Sequence, residues 1–242
     1  KMIIKLIILI LCAVIIYKLI YQYIVSKYIV TECISMPSDE KRRADLLQHI
    51  NYIGFKSKFN FYKAITGDDI CKDEYKDYID IVTKDRIGRI GCWLSHINIW
   101  KKYIGYNEPI LVIEDDVRFE KDFPCKLKNI VTYLKQTNID WDLCFLGREE
   151  YGNKKENISL DIYDLEYVKN KFYQTHCYLV NCKNIEKLLE YCELKNMNLK
   201  TFKNNTAIDI YISNLLDKLD ILGVKNQLAK QVSSNNYGSN TG

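Results

Sequence analysis

The chain has 242 residues, 48% of them hydrophobic, enough to bury one sizeable core, and its three prolines (Pro37, Pro109, Pro124) mark no internal linker. The formal charge of +4 is owed to the N-terminal segment, where Lys1, Lys5, Lys18 and Lys27 stand with no acid before residue 28. The remainder is charge-balanced, which excludes the basic footprint of a nucleic-acid binder.

Residues 1–27 are nearly all Ile, Leu, Val and Tyr, with an apolar stretch from Leu6 to Tyr17. A bilayer-spanning helix needs roughly 20 mostly apolar residues, with lysines that snorkel to the headgroups and interfacial tyrosines. Lys5, Lys18, Tyr17, Tyr21 and Tyr23 supply these. No small-x-small cleavage site follows Ile20, so an uncleaved signal anchor is expected over a cleaved signal peptide. Residues 28–242 then form one domain, expected in the ER or Golgi lumen, or at the cytoplasmic face of the membrane if the protein is of bacterial type. Two sequons, Asn157-Ile158-Ser159 and Asn204-Asn205-Thr206, fit a secretory route. The nine cysteines include no Cys-x-x-Cys pair, which argues against zinc and thioredoxin-like chemistry.

The domain opens with a β-branched strand, Tyr28 to Ser35, followed after Met36-Pro37-Ser38-Asp39 by an amphipathic helix over Glu40–Ile50. With Arg42 and Arg43 in the first turn, this unit makes an anion pocket, although an exposed basic helix face has the same pattern. A second strand, Asn60 to Ile65, ends in the polar loop Thr66-Gly67-Asp68-Asp69. The helix of residues 87–102 starts with Gly88 and Gly91, where a backbone can approach a ligand closely, and carries Ser95 and His96 one turn later. A lone histidine on such a helix is more readily a packed structural residue than a catalyst.

The run Ile110-Leu111-Val112-Ile113 reads as a buried strand ending in Glu114-Asp115-Asp116. Three crowded carboxylates repel one another and resist burial, and an oxygen-preferring divalent cation, Mg2+ or Mn2+, relieves both; a solvated turn is the alternative. In an α/β sheet such a strand end is where nucleotides and phosphates bind. Glu114 and Asp116 point to one side of an extended backbone and Asp115 to the other. Asp142 precedes a strand over Leu143–Gly147, and the polar segment from Arg148 to Asn170 predicts a mobile loop. A strand through Val180 begins near His176, a helix covers 184–193, and Asp209 opens a helix over 207–213, a position where an acid also suits the helix dipole.

Taken together, Ile34 to Arg43, Ile65-Thr66-Gly67, Gly88-x-x-Gly91-Cys92-x-x-Ser95-His96, Val112-Ile113-Glu114-Asp115-Asp116, Trp141-Asp142-x-x-x-Leu146-Gly147 and Tyr178-Leu179-Val180 resemble glycosyltransferase family 25. That family contains lipopolysaccharide and lipooligosaccharide galactosyltransferases and procollagen galactosyltransferases. The resemblance spans the soluble part and implies a GT-A fold, a Rossmann-like α/β domain that binds a nucleotide sugar. It further implies inverting, metal-dependent (Mn2+ or Mg2+) transfer of galactose or glucose from a UDP-sugar to a hydroxyl of a glycan, glycolipid or hydroxylysine-type protein.

By the same resemblance Asp116 holds the metal, Glu114 meets the ribose or a metal-bound water, Asp115 supports them, and His176 is a third ligand or an acceptor contact. Arg42, Thr66, Gly67, Gly91, Ser95 and His96 line the donor side. Asp209 is preferred over Asp142 as the base, with His96 a further catalytic candidate. Asn240 and Arg89 stand where the family commonly carries acids, a departure that bears on donor geometry and sugar choice. Two other classes fit parts of the pattern: a decayed transferase domain kept as a membrane-anchored binding or structural protein, and a metal-dependent phosphohydrolase.

Overall fold

The computed structural model describes residues 10–17, 29–70, 72–80, 87–152, 155–160, 162–204 and 207–232. The first half carries β1 (Val30–Ser35), α1 (Glu40–Tyr52), β2 (Lys58–Lys63), α2 (Lys72–Asp80), α3 (Ile87–Lys102), β3 (Ile110–Glu114), β4 (Val117–Phe119) and α4 (Phe123–Gln136). The second half carries β5 (Leu143–Phe145), β6 (Glu149–Tyr151), β7 (Ile158–Ser159), β8 (Leu165–Tyr167), β9 (Lys171–Tyr173), β10 (Cys177–Val180), α5 (Ile185–Cys192), α6 (Leu199–Asn204), α7 (Ile208–Ser213), β11 (Ile221–Val224) and β12 (Ala229–Gln231).

The fold is α/β, built on one mixed sheet of eight strands in the order β2-β1-β3-β10-β5-β11-β8-β7. β1, β2 and β3 are parallel, with Ser35 beside Lys63 and Ile34 beside Glu114, so all three deliver their C-terminal ends to one edge. β10 runs against β3 and β5, bringing its first residues to that same edge. β5 is parallel to β11, and their C-terminal ends also arrive there.

The central strands are covered on both sides, which is why they read as unbroken apolar runs. In β3, Ile110 and Val112 pack with α3, α5 and α7, while Leu111 and Ile113 pack with α1 and α4. The apolar spacing Ile90, Trp93, Ile97, Trp100 puts one face of α3 on the sheet, with both tryptophans fully buried. α4 does the same opposite, through Phe123, Leu127, Ile130, Val131 and Leu134. The result is helix on sheet on helix, with the loops of one sheet edge left free to form a site.

The segment expected as a mobile loop is built otherwise. Residues 148–170 contribute β6, β7 and β8, the last paired with β11 in the main sheet. The reason is a polar network around buried Arg148, which donates to Glu150, to Glu166 and, from Nη1 at 2.8 Å, to the carbonyl of Val224. Gly223 makes room for it, since a Cβ there would stand 2.2 Å from Arg148 Nη1. The expected signal anchor lies largely outside the described residues: residues 10–17 are helical and exposed, and among the described residues no helix is long and apolar enough to cross a membrane. The Asn204 sequon, Asn240 and the closing segment after residue 232 also fall wholly or partly outside them. The eight described cysteines are unpaired.

Candidate active site

The acidic strand end is braced from four directions. The turn after β3 folds back so that the Asp115 amide donates to the Ile34 carbonyl at 3.2 Å, docking the acids against the end of β1. Ser35 Oγ donates to Asp115 Oδ2 at 2.7 Å, and Arg42 Nη1 reaches Asp115 Oδ1 at 3.3 Å and Asp116 Oδ2 at 3.7 Å. Thr175 Oγ1 donates to Glu114 Oε1 at 3.0 Å, and Gln231 Nε2 donates to Asp116 Oδ2 at 3.0 Å. The pairing of β4 with β12 holds Gln231 in place, and the Val232 amide donates to the Asp116 carbonyl.

Burial raises the Asp116 carboxyl well above its ordinary value, and the charge of Glu114 adds to the rise. Burial works the same way on Glu114, but the imidazoles of His96 and His176 and the Thr175 hydroxyl bring it below the usual range. Asp115 is raised by burial, against the opposing pull of Ser35 and Arg42. Two close carboxylates divided in this way are poor company without a cation.

His96 is fully buried on α3, with Nδ1 at 2.8 Å from Tyr178 Oη and Nε2 at 3.7 Å from Glu114 Oε1, an electrostatic contact too long for a hydrogen bond. Trp100 Nε1 donates to the same tyrosine oxygen at 3.2 Å. His176 Nε2 lies 3.2 Å from the Ala229 carbonyl and so donates to it, which leaves Nδ1 as the lone-pair nitrogen of the neutral ring; burial lowers its basicity. Gly147 permits this approach, because a Cβ there would stand 2.2 Å from Ala229 O and 2.5 Å from His176 Nε2.

Ser95 and Gly91, expected to line a donor pocket, act on the chain rather than facing open space. Ser95 Oγ donates to the Gly91 carbonyl at 2.7 Å and accepts from the Ile65 amide at 2.8 Å, and a Cβ on Gly91 would stand 2.2 Å from Ile65 O. Together they press the end of β2 onto α3. The next residues form a closed turn in which Asp69 Oδ2 accepts from the Thr66 amide at 3.0 Å and its hydroxyl at 2.8 Å, with Gly67 packed beside Ile87. This loop sits on the same edge as the acids, two strands away.

The two candidate bases part company. Asp142 is fully buried at the opposite edge of the sheet, before β5, where its carboxylate accepts from Asn184 Nδ2, Lys187 Nζ and the Asp220 amide at 2.9, 2.7 and 2.8 Å. Asp209 lies toward the acidic edge. Its Oδ2 accepts from the Gln174 amide at 2.8 Å, and Gln174, at φ 80°, directly precedes the Thr175 that bonds Glu114. The structure thus assembles Arg42, His96, Glu114, Asp115, Asp116 and Asp209 around one edge and places Asp142 elsewhere.

The fit to a divalent cation rests on orphaned polar atoms. Asp116 Oδ1, His96 Nε2 and His176 Nδ1 are buried without a hydrogen-bond partner. Among the described residues, no three His, Cys, Asp or Glu side chains form a cluster that could hold an ion. A hard cation of the Mg2+ type is commonly held by one or two carboxylates with substrate phosphates and water completing its shell, and Glu114 with Asp116 fits that pattern.

Ser35, Thr175, Tyr178 and Gln231 carry no site role in the sequence pattern, although Ser35 and Tyr178 fall within the family-like stretches and Gln231 opens a family-like closing segment. Each acts across a large sequence separation, 80 residues for Ser35 to Asp115 and 61 for Thr175 to Glu114, and no local spacing announces such a bond.

Residues 29–212 match the family model of glycosyltransferase family 25 (LPS biosynthesis protein). Procollagen galactosyltransferase 1 of Danio rerio is 33% identical over 111 residues, which make up 46% of this chain and 18% of that protein. A glycosyltransferase 25 family member of Aedes aegypti is 29% identical over 175 residues, 68% of this chain and 28% of the other. The human inactive glycosyltransferase 25 family member 3 is 33% identical over 111 residues, 46% of this chain and 18% of that protein. The chain therefore spans less than a third of the length of each of these relatives. With the family model matched over residues 29–212, which carry the three acids and make up most of the chain, the chain belongs to glycosyltransferase family 25.

Proposed function

We propose that the chain transfers a hexose, galactose or glucose, from a UDP-sugar to a hydroxyl acceptor at the edge carrying Glu114 and Asp116, in a domain of GT-A type. The observation that carries this reading is the buried Asp116 Oδ1, held without a protein partner while the rest of the acidic pair is braced by Thr175, Arg42 and Gln231. A divalent cation there would supply positive charge to the leaving diphosphate. Arg42 adds charge from the protein itself, and the Thr66–Asp69 turn forms the donor-side rim. Asp209 is the base in this reading, since each of its oxygens keeps a lone pair after accepting one backbone amide and can take the proton of an acceptor hydroxyl. The acceptor is a glycan, a glycolipid or a hydroxylysine-type protein.

A second reading, a domain that has lost its activity, is favoured by one finding: a human relative as similar as the zebrafish enzyme is named inactive. The test is release of UDP from UDP-galactose and UDP-glucose with Mn2+, with Asp116→Ala beside the parent. Slow, metal-dependent hydrolysis lost in the variant is expected. Failure of the parent to turn over or bind either nucleotide sugar leaves the inactive reading standing.

A further inference from the structure

A groove of about 490 Å3 opens between α4 and the β11–β12 connection, and none of the three acids lines it. Its volume is that of a small-molecule site. Leu228 in its floor stands three residues before Gln231, the partner of Asp116, so one short connection ties the groove to the acidic edge.

The lining has a definite chemistry. Ile130, Val224 and Leu228, all buried, make an apolar floor. Asn129, Asp164 and Asn226 offer amides and a carboxylate at the rim, both donors and acceptors. The half-exposed Tyr163 ring forms a wall, lying edge-on to Tyr133 with centroids 5.9 Å apart. The two lysines are engaged already: Lys126 Nζ pairs with Asp122 at 2.8 Å and Lys225 Nζ donates to Ser159 Oγ at 2.5 Å. Asp122, paired with Lys126, and Asp164 in the lining offset the two lysine charges, so the groove carries no net positive charge to select an anion. An apolar floor, an aromatic wall and mixed neutral donors and acceptors suit a ring that has one C–H face and an edge of hydroxyls.

The backbone supplies a second, independent observation. The Leu165 amide bonds the Ile162 carbonyl, closing a tight turn whose central residues Tyr163 and Asp164 both have left-handed φ, 53° and 57°. Asn and Gly are the residues that take such a turn without strain, and a bulky aromatic there is an outlier. The turn sets Tyr163 and Asp164 at the groove against that strain, held by the Leu165–Ile162 bond and by Asp164 accepting from Asn226 Nδ2 at 3.3 Å and from the Lys225 amide.

We propose that this groove is a saccharide-binding subsite that takes a neutral glycan segment beside the transfer edge. Naming that segment part of the acceptor rests on the transferase reading; the binding itself does not. The test is saturation-transfer NMR on the full chain with lactose, maltose and cellobiose as neutral probes and inorganic phosphate as the anionic one. Saturation should pass to at least one disaccharide, persist in Asp116→Ala, and vanish in Tyr163→Asn, a change the left-handed turn accepts, so that the variant stays folded by circular dichroism. Transfer to none of the disaccharides, transfer that survives Tyr163→Asn, or displacement by phosphate overturns the proposal. Disaccharide binding in a protein that turns over no UDP-sugar keeps the subsite and removes the transferase; turnover without disaccharide binding does the reverse.

Discussion

Gln231 and Asp116 lie 115 residues apart in sequence and meet across the β4–β12 ribbon, the amide donating to the carboxylate at 3.0 Å. Gln231 is exposed, so its removal leaves the core untouched while freeing an oxygen of the acidic pair. Gln231→Ala is therefore expected to raise the Mn2+ concentration needed for half-maximal donor hydrolysis by about 10- to 100-fold, as loss of an orienting partner does. A titration matching the parent's would show that Asp116 is positioned without it.

Gly147→Ala tests the closeness of β5 to β12. The new methyl would overlap a backbone oxygen and the His176 ring, neither of which can swing away cheaply. A loss of about 1–3 kcal/mol is expected from overpacking, with a shift of the His176 resonances as its bond to Ala229 breaks. An unchanged denaturation midpoint would mean that the ribbon yields freely.

The two acids once paired as candidate bases should separate by phenotype. Asp142→Ala strips Lys187, Asn184 and the Asp220 amide of their acceptor, and is expected to cost about 3 kcal/mol of stability with kcat retained at low temperature. Asp209→Asn keeps an oxygen for the Gln174 amide, so the fold should persist while kcat falls by about 10²- to 10⁴-fold. Steady-state kinetics beside thermal melts distinguish them, and intact kcat in Asp209→Asn would reduce Asp209 to an anchor of the β9–β10 corner.

Asn157, read from sequence as a glycan acceptor, has its amide nitrogen at 2.9 Å from both Glu150 Oε1 and Glu166 Oε1, while its oxygen accepts from the Lys169 amide at 2.8 Å. A glycan on that nitrogen would break the network, so the folded fraction from a secretory host should carry none there; intact-mass analysis decides it. The same network has a pH signature. Burial works against the charge on Glu150, but Asn157 and Arg148 outweigh it and hold the carboxyl below its ordinary value of 4.5. A depressed folded value means stability present above the ordinary value and lost as pH falls below it. Arg148→Met should flatten that acid limb in melts taken from pH 5 downward.

The central strands and α3 were legible because burial on both faces writes an unbroken apolar run and because Trp93, Ile97 and Trp100 repeat at helical spacing. The acids at the end of β3 announced themselves by being adjacent. The 148–170 segment misled because composition records polarity and not pairing: Arg148, Glu150, Asn157, Glu166 and Asn170 look solvated singly and satisfy one another when folded. Ser95 misled in a related way, a small polar residue at a glycine-rich helix start whose hydroxyl is consumed by two backbone groups. β4 and β12, three residues each, are too short to write a period at all.

The antiparallel course of β10 limits where this chain can gain or lose length. Buried on both faces, it puts Tyr178 against His96 on one side and Cys177 and Leu179 in the opposite core. One residue inserted or deleted between Gln174 and Cys177 would exchange those sides, withdraw the tyrosine hydroxyl from His96 and Trp100 together, and carry Thr175 off Glu114. A library of single-residue insertions should tolerate the β6–β7 connection near Gly152 and be purged at this corner, making it a fixed ruler against which the rest of the edge is measured.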